Sequence, residues 1–265
     1  MEQKIKGKIN NYYFSKAINR RYSESTQHYH PHYEIYYMKE GNCRYFIDDR
    51  FYNVEAGDVI LIPKGVIHRA NYTTDSHSRL LLNFTDYFLP ETIISIFDQK
   101  KYIFRSKEIA RNIEGIFQKI EKEYTNPDSY TQHLLRIHTA EMLFLILRHP
   151  GSSEEVTSTG NELIDGIVKY IKDSYMSDIK LSGVAKLKSV SPEHLSRTFK
   201  RCTGFGFNEY VTLLRLRRAE EMIKSEPQMT ISEIAYECGF NDGNYFSYKF
   251  KKVYGISPMK LRSGK

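Results

Sequence analysis

Two stretches of this 265-residue chain repeat one pattern, and the repetition limits what the C-terminal half can fold into. Residues 181–204 and 231–255 carry matched apolar and small residues, at Val184 and Ile234, Ala185 and Ala235, Leu195 and Phe246, Phe199 and Phe250, and Gly204 and Gly255. The offset is 50 residues before a central turn and 51 after it, so the later copy has about one more turn residue. Such a repeat indicates one supersecondary unit that is used twice.

Each copy predicts a short helix, a tight turn and a second helix, and in the later copy the turn falls at Gly239. In the first copy, Ser191-Pro192 is a typical helix start, with serine as the cap and proline at the first helical position. Leu195 and Phe199 lie four residues apart and are expected to face the core. This arrangement is typical of a helix-turn-helix that enters a DNA groove, and a long helix at 207–225 is expected to join the two copies.

The net charge of +7 is concentrated in the half that carries the repeat. From residue 161 onward there are 18 Lys and Arg against 12 Asp and Glu, whereas the preceding part has 21 against 20. A basic domain beside a nearly neutral one favours a polyanionic partner for the basic domain. A solvated basic surface without such a partner is the alternative.

The N-terminal part has a different pattern. Short apolar runs bounded by turn residues predict five strands, at 34–38, 43–47, 51–54, 59–62 and 79–84, which is typical of a sandwich or small barrel. Between residues 86 and 149 the apolar period becomes helical. Because those helices have wide apolar faces, we expect dimerisation through them, with packing inside the chain as the alternative. Residues 150–160 are polar and aperiodic, so we predict a domain at 1–149, a linker at 150–160 and a domain at 161–265.

Two histidine patterns of the N-terminal domain resemble the two motifs of the cupin barrel. The first is His28-x-His30-x3-Glu34 followed by Gly41, and the second is Gly57-x5-Pro63-x-Gly65-x2-His68. In an extended strand, residues 28, 30 and 34 face one side, and with His68 they could form a nitrogen and oxygen ligand set for a divalent transition metal. The favoured interpretation is instead an organic effector, held by His28, His30, Glu34, Tyr36 and His68.

Three blocks of the C-terminal half, at 191–200, 234–240 and 245–258, resemble the AraC/XylS family of bacterial transcription regulators. The resemblance covers roughly residues 161–263, and the N-terminal part resembles that family's effector-sensing and dimerisation domain. It implies an α+β chain with a cupin-like β-barrel, a helical dimerisation segment and an all-α domain with two helix-turn-helix units. Its implied partners are double-stranded promoter DNA and a second copy of the chain.

Carried over by position, the resemblance assigns base reading in the first unit to Glu193, Ser196 and Arg197, with Lys200 on the same face. The guanidinium of Arg197 could form a bidentate hydrogen bond with a guanine. Such a contact contributes about 1–3 kcal/mol of discrimination against other bases. For Glu193, a dipole contact in the first helical turn is an equal alternative. The second unit has Gly243 and Tyr248 where side-chain reading is expected, so its contribution is predicted to be weaker. Its candidate DNA-binding residues are Asn244, Tyr245, Tyr248, Lys249 and Lys251, with the lysines holding phosphates.

These patterns predict a ligand-responsive transcription regulator, an activator of carbohydrate-utilisation genes that responds to a sugar-like effector and works with RNA polymerase. A metal-dependent cupin enzyme tethered to DNA and a constitutive DNA-binding regulator whose barrel only dimerises are the alternatives. We expect no enzyme activity, metal or cofactor. The three cysteines are scattered, and no apolar run suits a signal peptide or a membrane span, so we expect a cytoplasmic protein without a membrane partner.

Overall fold

A computed structural model of the protein describes Ile9 and residues 11–20, 30–72, 74, 76–89, 93, 102–149 and 161–263. The backbone divides into two compact units, Met1–Thr157 and Ser158–Lys265. The predicted linker at 150–160 lies outside the described residues. The first unit is mostly β-sheet and the second is helical, so the predicted α+β fold class is confirmed.

The strands of the first unit form two antiparallel sheets. Among the described residues they are β1 Tyr12–Arg20, β2 Tyr33–Glu40, β3 Asn42–Ile47, β4 Arg50–Glu55, β5 Asp58–Ile62, β6 His68–Tyr72, β7 His77–Phe84 and β8 Ile103–Arg105. One sheet has the order β1-β7-β2-β5-β8 and the other β4-β3-β6. All five predicted strands are present, whereas β1, β6 and β8 were not predicted.

Alternation along β2 sends its side chains into two separate cores. Tyr33, Ile35 and Tyr37 pack in a core that includes the helices after the sheets. Tyr36 and Met38 pack in a second core that both sheets share. Because neighbouring side chains of a strand point to opposite faces, a strand buried on both sides is apolar at nearly every position. The barrel interior is therefore the face that carries Tyr36, and the polar residue Glu34 has the same parity.

Two helices cover the outer face of the larger sheet. They are α1 Lys107–Thr125, which is capped by the Ser106 hydroxyl, and α2 Thr131–Leu147. Ile113 and Phe117 of α1 and Met142 of α2 are buried in the same core as Phe14 of β1. The sheet of the same unit covers these apolar faces, which is the alternative that the sequence left open, and dimerisation of the chain stays a prediction. The apolar stripe of each helix must be buried, and the apolar outer face of the larger sheet buries it.

The second unit contains seven helices among its described residues. They are α3 Glu162–Ser174, α4 Leu181–Leu187, α5 Pro192–Thr203, α6 Phe207–Ser225, α7 Ile231–Glu237, α8 Gly243–Tyr254 and α9 Pro258–Ser263. α6 lies between the two predicted helix-turn-helix units in sequence and buries Tyr210, Leu214 and Leu216. Across the described ranges of the chain, none of the helices combines the length and apolar character needed to cross a membrane.

Candidate functional site

The later helix-turn-helix unit is shaped by hydrogen bonds at both ends of its first helix. At the start of α7, the Thr230 hydroxyl accepts from Glu233 N at 3.1 Å, and Thr230 N donates to Glu233 Oε2 at 2.6 Å. This reciprocal pair is a capping box. At its end the chain turns through Gly239, whose φ is +85°, and Phe240 N donates to Ala235 O at 2.9 Å. A residue in the left-handed backbone conformation ends the helix and lets the chain change direction within a few residues.

The earlier unit makes the same turn with a different residue. Ser189 has φ of +54°, and Val190 N donates to Ala185 O at 3.0 Å. These residues lie 50 positions before their counterparts in the later unit. The N-caps of the second helices are Ser191 and Asp242, which are 51 positions apart. The extra residue of the later copy therefore lies between Phe240 and Asp242.

The second helix of the first unit, α5, separates a buried face from an exposed one. Leu195 and Phe199 are fully buried, as the four-residue spacing predicts. The opposite side carries the exposed residues Glu193, His194, Arg197, Lys200 and Arg201, with Ser196 half-buried. The predicted base-reading residues of this unit thus share one side of the helix, and their DNA contacts remain a prediction.

The second helix of the later unit, α8, presents tyrosines where α5 presents other residues. Phe246 and Phe250 are fully buried, while Tyr245 is 47% and Tyr248 61% exposed. Exposed with them are Asn244, Lys251 and Lys252. Lys249 is half-buried and its Nζ lies 5.3 Å from the Tyr245 ring centroid. This outward face therefore combines two aromatic rings with lysines.

Two exposed residues of α5 were missed by the sequence analysis. His194 and Arg201 lie on the same side as Arg197. The 51-residue offset was the signal that could have found them, because it pairs them with Tyr245, a predicted DNA-binding residue, and with Lys252.

A single arginine connects α6 to the later turn. Arg215 of α6 donates from Nε to Tyr175 O at 2.6 Å and from its terminal nitrogen to Ser177 O at 2.7 Å. Its guanidinium also lies 5.9 Å from the Phe240 ring centroid. Because the carbonyls belong to the turn directly after α3, this side chain connects that turn, α6 and the turn of the later unit.

The first unit, which contains the two sheets, brings together three of its predicted site residues. Nε2 of His30 lies 3.3 Å from Oε2 of Glu34, and Nε2 of His68 lies 3.7 Å from Oε1 of the same carboxylate. Glu34 comes from β2 and His68 from β6, so the cluster joins the two sheets. Glu34 and His68 are almost completely buried, and His30 is partly exposed. The cluster is thus reachable from the side of His30.

Neighbouring polar groups complete the hydrogen bonding of Glu34. The Tyr45 hydroxyl donates to Oε1 at 3.0 Å, and the Asn83 amide donates to Oε2 at 3.0 Å. Burial alone would raise the pKa of the Glu34 carboxyl, but the imidazoles of His68 and His30 reverse the effect and hold that pKa well below its usual range. Burial and the charge of Glu34 raise the pKa of Tyr45, so its phenol keeps the proton that it donates. The carboxyl is therefore an anion in a polar part of the barrel interior.

The prediction for this cluster also included His28 and an argument from strand parity. His28 lies outside the described residues. His30 lies in the loop before β2, so the argument from strand parity was wrong for His30, although its imidazole still reaches Glu34. Tyr36 faces the same interior, where its hydroxyl donates to the Tyr72 hydroxyl at 3.3 Å.

Comparisons with known proteins match both units. Residues 13–139 match the family model for the AraC-like ligand binding domain, and residues 184–264 match a helix-turn-helix domain. The Msm operon regulatory protein of Streptococcus mutans is 25% identical over 256 residues, covering 95% of this chain and 91% of that protein. The transcriptional activator RhaR of Escherichia coli O139:H28 is 25% identical over 257 residues, covering 93% and 90%. Apo ToxT from Vibrio cholerae is 14% identical, with a TM-score of 0.40 and coverage of 96% and 97%.

A duplicated helix-turn-helix on the C-terminal side of a ligand-binding barrel defines a DNA-binding transcription regulator. The chain belongs to the AraC family of transcriptional regulators. Of the relatives named above, one is an operon regulatory protein and one is a transcriptional activator.

Proposed function

We propose that this regulator binds double-stranded promoter DNA with α5 and α8, activates transcription with RNA polymerase, and responds to a small polar effector, with a sugar as the first candidate. The observation that carries the DNA part is the repeated unit, since both copies bury two apolar residues and expose basic and hydrogen-bonding ones. α6 has 19 residues and is therefore about 28 Å long. This length approaches the roughly 34 Å that separate major-groove segments one helical turn apart.

The two units are proposed to contribute differently to recognition. Arg197 of α5 has the planar fork that pairs with guanine, and Glu193 and Ser196 lie on the same side. The matching position of α8 is Tyr248, whose ring suits apolar contact with a thymine methyl. Lys200, Lys249 and Lys251 are assigned to phosphates, which set position and affinity more than sequence.

The effector is proposed to bind beside His30, Glu34 and His68 in the barrel. The carboxylate, the imidazoles and the Asn83 amide offer hydrogen-bond partners on an otherwise apolar and aromatic interior, which suits a polar ligand with several hydroxyl groups. Activation is proposed because RhaR, a relative over most of the chain, is an activator.

A homodimer is proposed through the outward side of α2. Tyr130, at the N-cap of α2, and Ile137 and Phe144 on the helix are 68%, 59% and 45% exposed, and they lie seven residues apart in sequence. Two helices that present such a stripe can bury it against each other. The face is separate from the one that packs on the sheet.

The test is binding of the full-length protein to a labelled promoter duplex and to a shuffled duplex, with and without candidate sugars. We expect a strong preference for the promoter and a change of its affinity with one sugar. Equal affinity for both duplexes would contradict the proposed role as a sequence-specific transcription regulator. If no candidate sugar changes the affinity for the promoter, the proposed response to an effector is contradicted. That result would favour a constitutive DNA-binding regulator whose barrel only dimerises.

A further inference from the structure

Arg79 of β7 places a positive charge inside the barrel. It pairs with Met38 of β2, whose side chain packs in the interior core, and paired residues of neighbouring strands face the same side. Its Nη1 donates to the Ser15 hydroxyl at 3.2 Å, and its Cζ lies 6.0 Å from the centroid of the Tyr36 ring. The Tyr72 hydroxyl accepts a further hydrogen bond from Arg79. The guanidinium therefore points into the barrel among hydroxyl groups and aromatic rings.

The direct partners of this guanidinium are neutral. A guanidinium has five N–H donors and keeps its charge in proteins. Within the described part of the chain, Arg79 forms no ion pair with a carboxylate. Arg105 of β8 has the opposite arrangement, since it donates to both oxygens of Asp58 at 2.8 and 2.9 Å. Because a charge withdrawn from water is costly without a counter-ion, an anion that binds at Arg79 would remove that cost.

Aromatic rings lie between this cation and the Glu34 carboxylate. The rings of Tyr36 and Tyr45 meet edge to face with centroids 5.4 Å apart, and the Tyr45 hydroxyl donates to Glu34. Asn83, which also donates to Glu34, lies four residues from Arg79 on β7, or about 13 Å along the strand. The interior thus has a positive end, an aromatic wall and a negative end. One ligand with different groups at its two ends can use all three.

We propose that Arg79 binds an oxyanion of the effector, a carboxylate or a phosphate, so that the effector is an acidic sugar derivative and not a neutral sugar. The planar fork of a guanidinium forms two parallel hydrogen bonds with either group. Hydroxyl groups at the other end of the ligand can donate to the Glu34 carboxylate, which repels a second acid. The two charges therefore fix the orientation of the ligand. This inference rests on the proposed effector site in the barrel and adds the charge of the effector.

The first experiment probes the oxyanion site with simple ions. Thermal unfolding of the full-length protein is followed in sodium acetate, sodium phosphate and sodium chloride at equal ionic strength. We expect a higher Tm in acetate or phosphate than in chloride, because an ion that binds only the folded state stabilises it. Such salts also act on the whole protein surface, and that part of the effect is common to all variants. The part that a change of Arg79 removes is therefore the measure of the site.

Two matched variants isolate Arg79 from charge in general. Arg79→Met keeps a long side chain without the fork and is expected to lose the additional rise in Tm. Arg44→Met removes the same charge from the other face of β3, where the Arg44 guanidinium lies 5.3 Å from the Phe51 ring centroid. Arg44→Met is expected to keep the rise. Arg79→Lys keeps the charge but not the fork, and it carries the test if Arg79→Met does not fold.

The second experiment identifies the kind of acid. Calorimetry compares glucose and galactose with their uronates and their 6-phosphates, so that each neutral sugar has an acidic partner with the same ring. We expect one of the acids to bind at least about tenfold more tightly than its neutral sugar, and Arg79→Met to remove that difference. Preference for the uronate assigns a carboxylate to the effector, and preference for the 6-phosphate assigns a phosphate.

The proposal is overturned if acetate and phosphate raise the Tm of the parent protein no more than that of Arg79→Met, or if no acid binds more tightly than its neutral sugar. A lower Tm of Arg79→Met in chloride together with the first result would assign Arg79 a structural role. Promoter binding by the parent protein is measured in parallel. Promoter preference without oxyanion binding would contradict only this inference, and oxyanion binding without promoter preference would contradict only the proposed regulator.

Discussion

Replacing Gly239 by alanine tests the turn that shapes the later DNA-binding unit. The residue has φ of +85°, and an added Cβ would lie 2.5 Å from the Met176 carbonyl oxygen and 3.0 Å from Arg215 Nε. The matched control is Gly255→Ala, because Gly255 has φ of +75° and nothing lies within 4 Å of its added Cβ. Both changes force alanine into the left-handed region, and only one adds a clash.

The difference can be estimated from these contacts. The left-handed conformation costs a non-glycine residue about 1–2 kcal/mol, and this cost is common to both variants. At Gly239 the Met176 carbonyl must move, which disturbs the guanidinium bonds of Arg215 to Tyr175 O and Ser177 O. Hydrogen bonds of a charged group contribute about 1.5–3 kcal/mol. We therefore expect losses of about 3–5 kcal/mol for Gly239→Ala and about 1–2 kcal/mol for Gly255→Ala.

The assay is urea unfolding of the full-length protein followed by circular dichroism at 222 nm, which reports mainly on the helical unit. The midpoint of its transition should fall much further for Gly239→Ala than for Gly255→Ala. Losses that agree within about 0.5 kcal/mol would refute the proposed clash and leave only the shared conformational cost.

Three further changes test other parts of the molecule. Ser189→Gly should stabilise the helical unit by about 0.5–1 kcal/mol, because Ser189 has φ of +54° and glycine adopts this conformation without steric cost. Urea unfolding measures the change, and a loss of stability would contradict this reasoning. Arg197→Ala should lose about 1–3 kcal/mol of discrimination at one base position in competition binding, and an equal loss on all sequences would assign Arg197 to a phosphate. Ile137→Glu should weaken self-association in sedimentation at least about tenfold, whereas Gln132→Glu, on another side of α2, should not change it; equal effects would exclude the proposed dimer surface.

Periodic patterns in the sequence were enough to predict most of the helices and five of the eight described strands. α5 and α8 follow from pairs of apolar residues four positions apart, because a helix brings such residues to one face. β6 has the sequence His-Arg-Ala-Asn-Tyr and no apolar alternation, since its burial depends on pairing with β3. Pairing between distant segments cannot be read from a local pattern.

The polar cluster of the barrel was predicted only in part. The spacing of the histidine patterns indicated that His30, Glu34 and His68 converge, and the structure brings them together. Tyr45 and Asn83 were not predicted to contact Glu34, because their approach depends on the register of β3 and β7 against their neighbours. The surface that covers α1 and α2 was left open between a second subunit and the same chain, since an apolar stripe shows that a partner surface is needed without identifying it.

The left-handed turn of the first unit shows a different limit. Serine rarely adopts positive φ, so Ser189 gives no local signal of a turn like that at Gly239. Comparison of the two copies at the 50-residue offset does reveal it, because the neighbouring helices are aligned. The internal repeat therefore carries structural information that single residues do not.

The most direct measurement for the DNA-binding role is the salt dependence of affinity for the promoter and for a shuffled duplex, by fluorescence anisotropy between 50 and 200 mM salt. We expect five phosphate contacts, one from each of the exposed or half-buried basic residues Lys200, Arg201, Lys249, Lys251 and Lys252. Five such contacts would give a slope of log K against log salt of about −4.5. Over that salt range the affinity would fall roughly 500-fold. The promoter should be preferred by at least about 10³-fold. A flat slope, or the same affinity for both duplexes, would contradict sequence-specific recognition by the paired helix-turn-helix units.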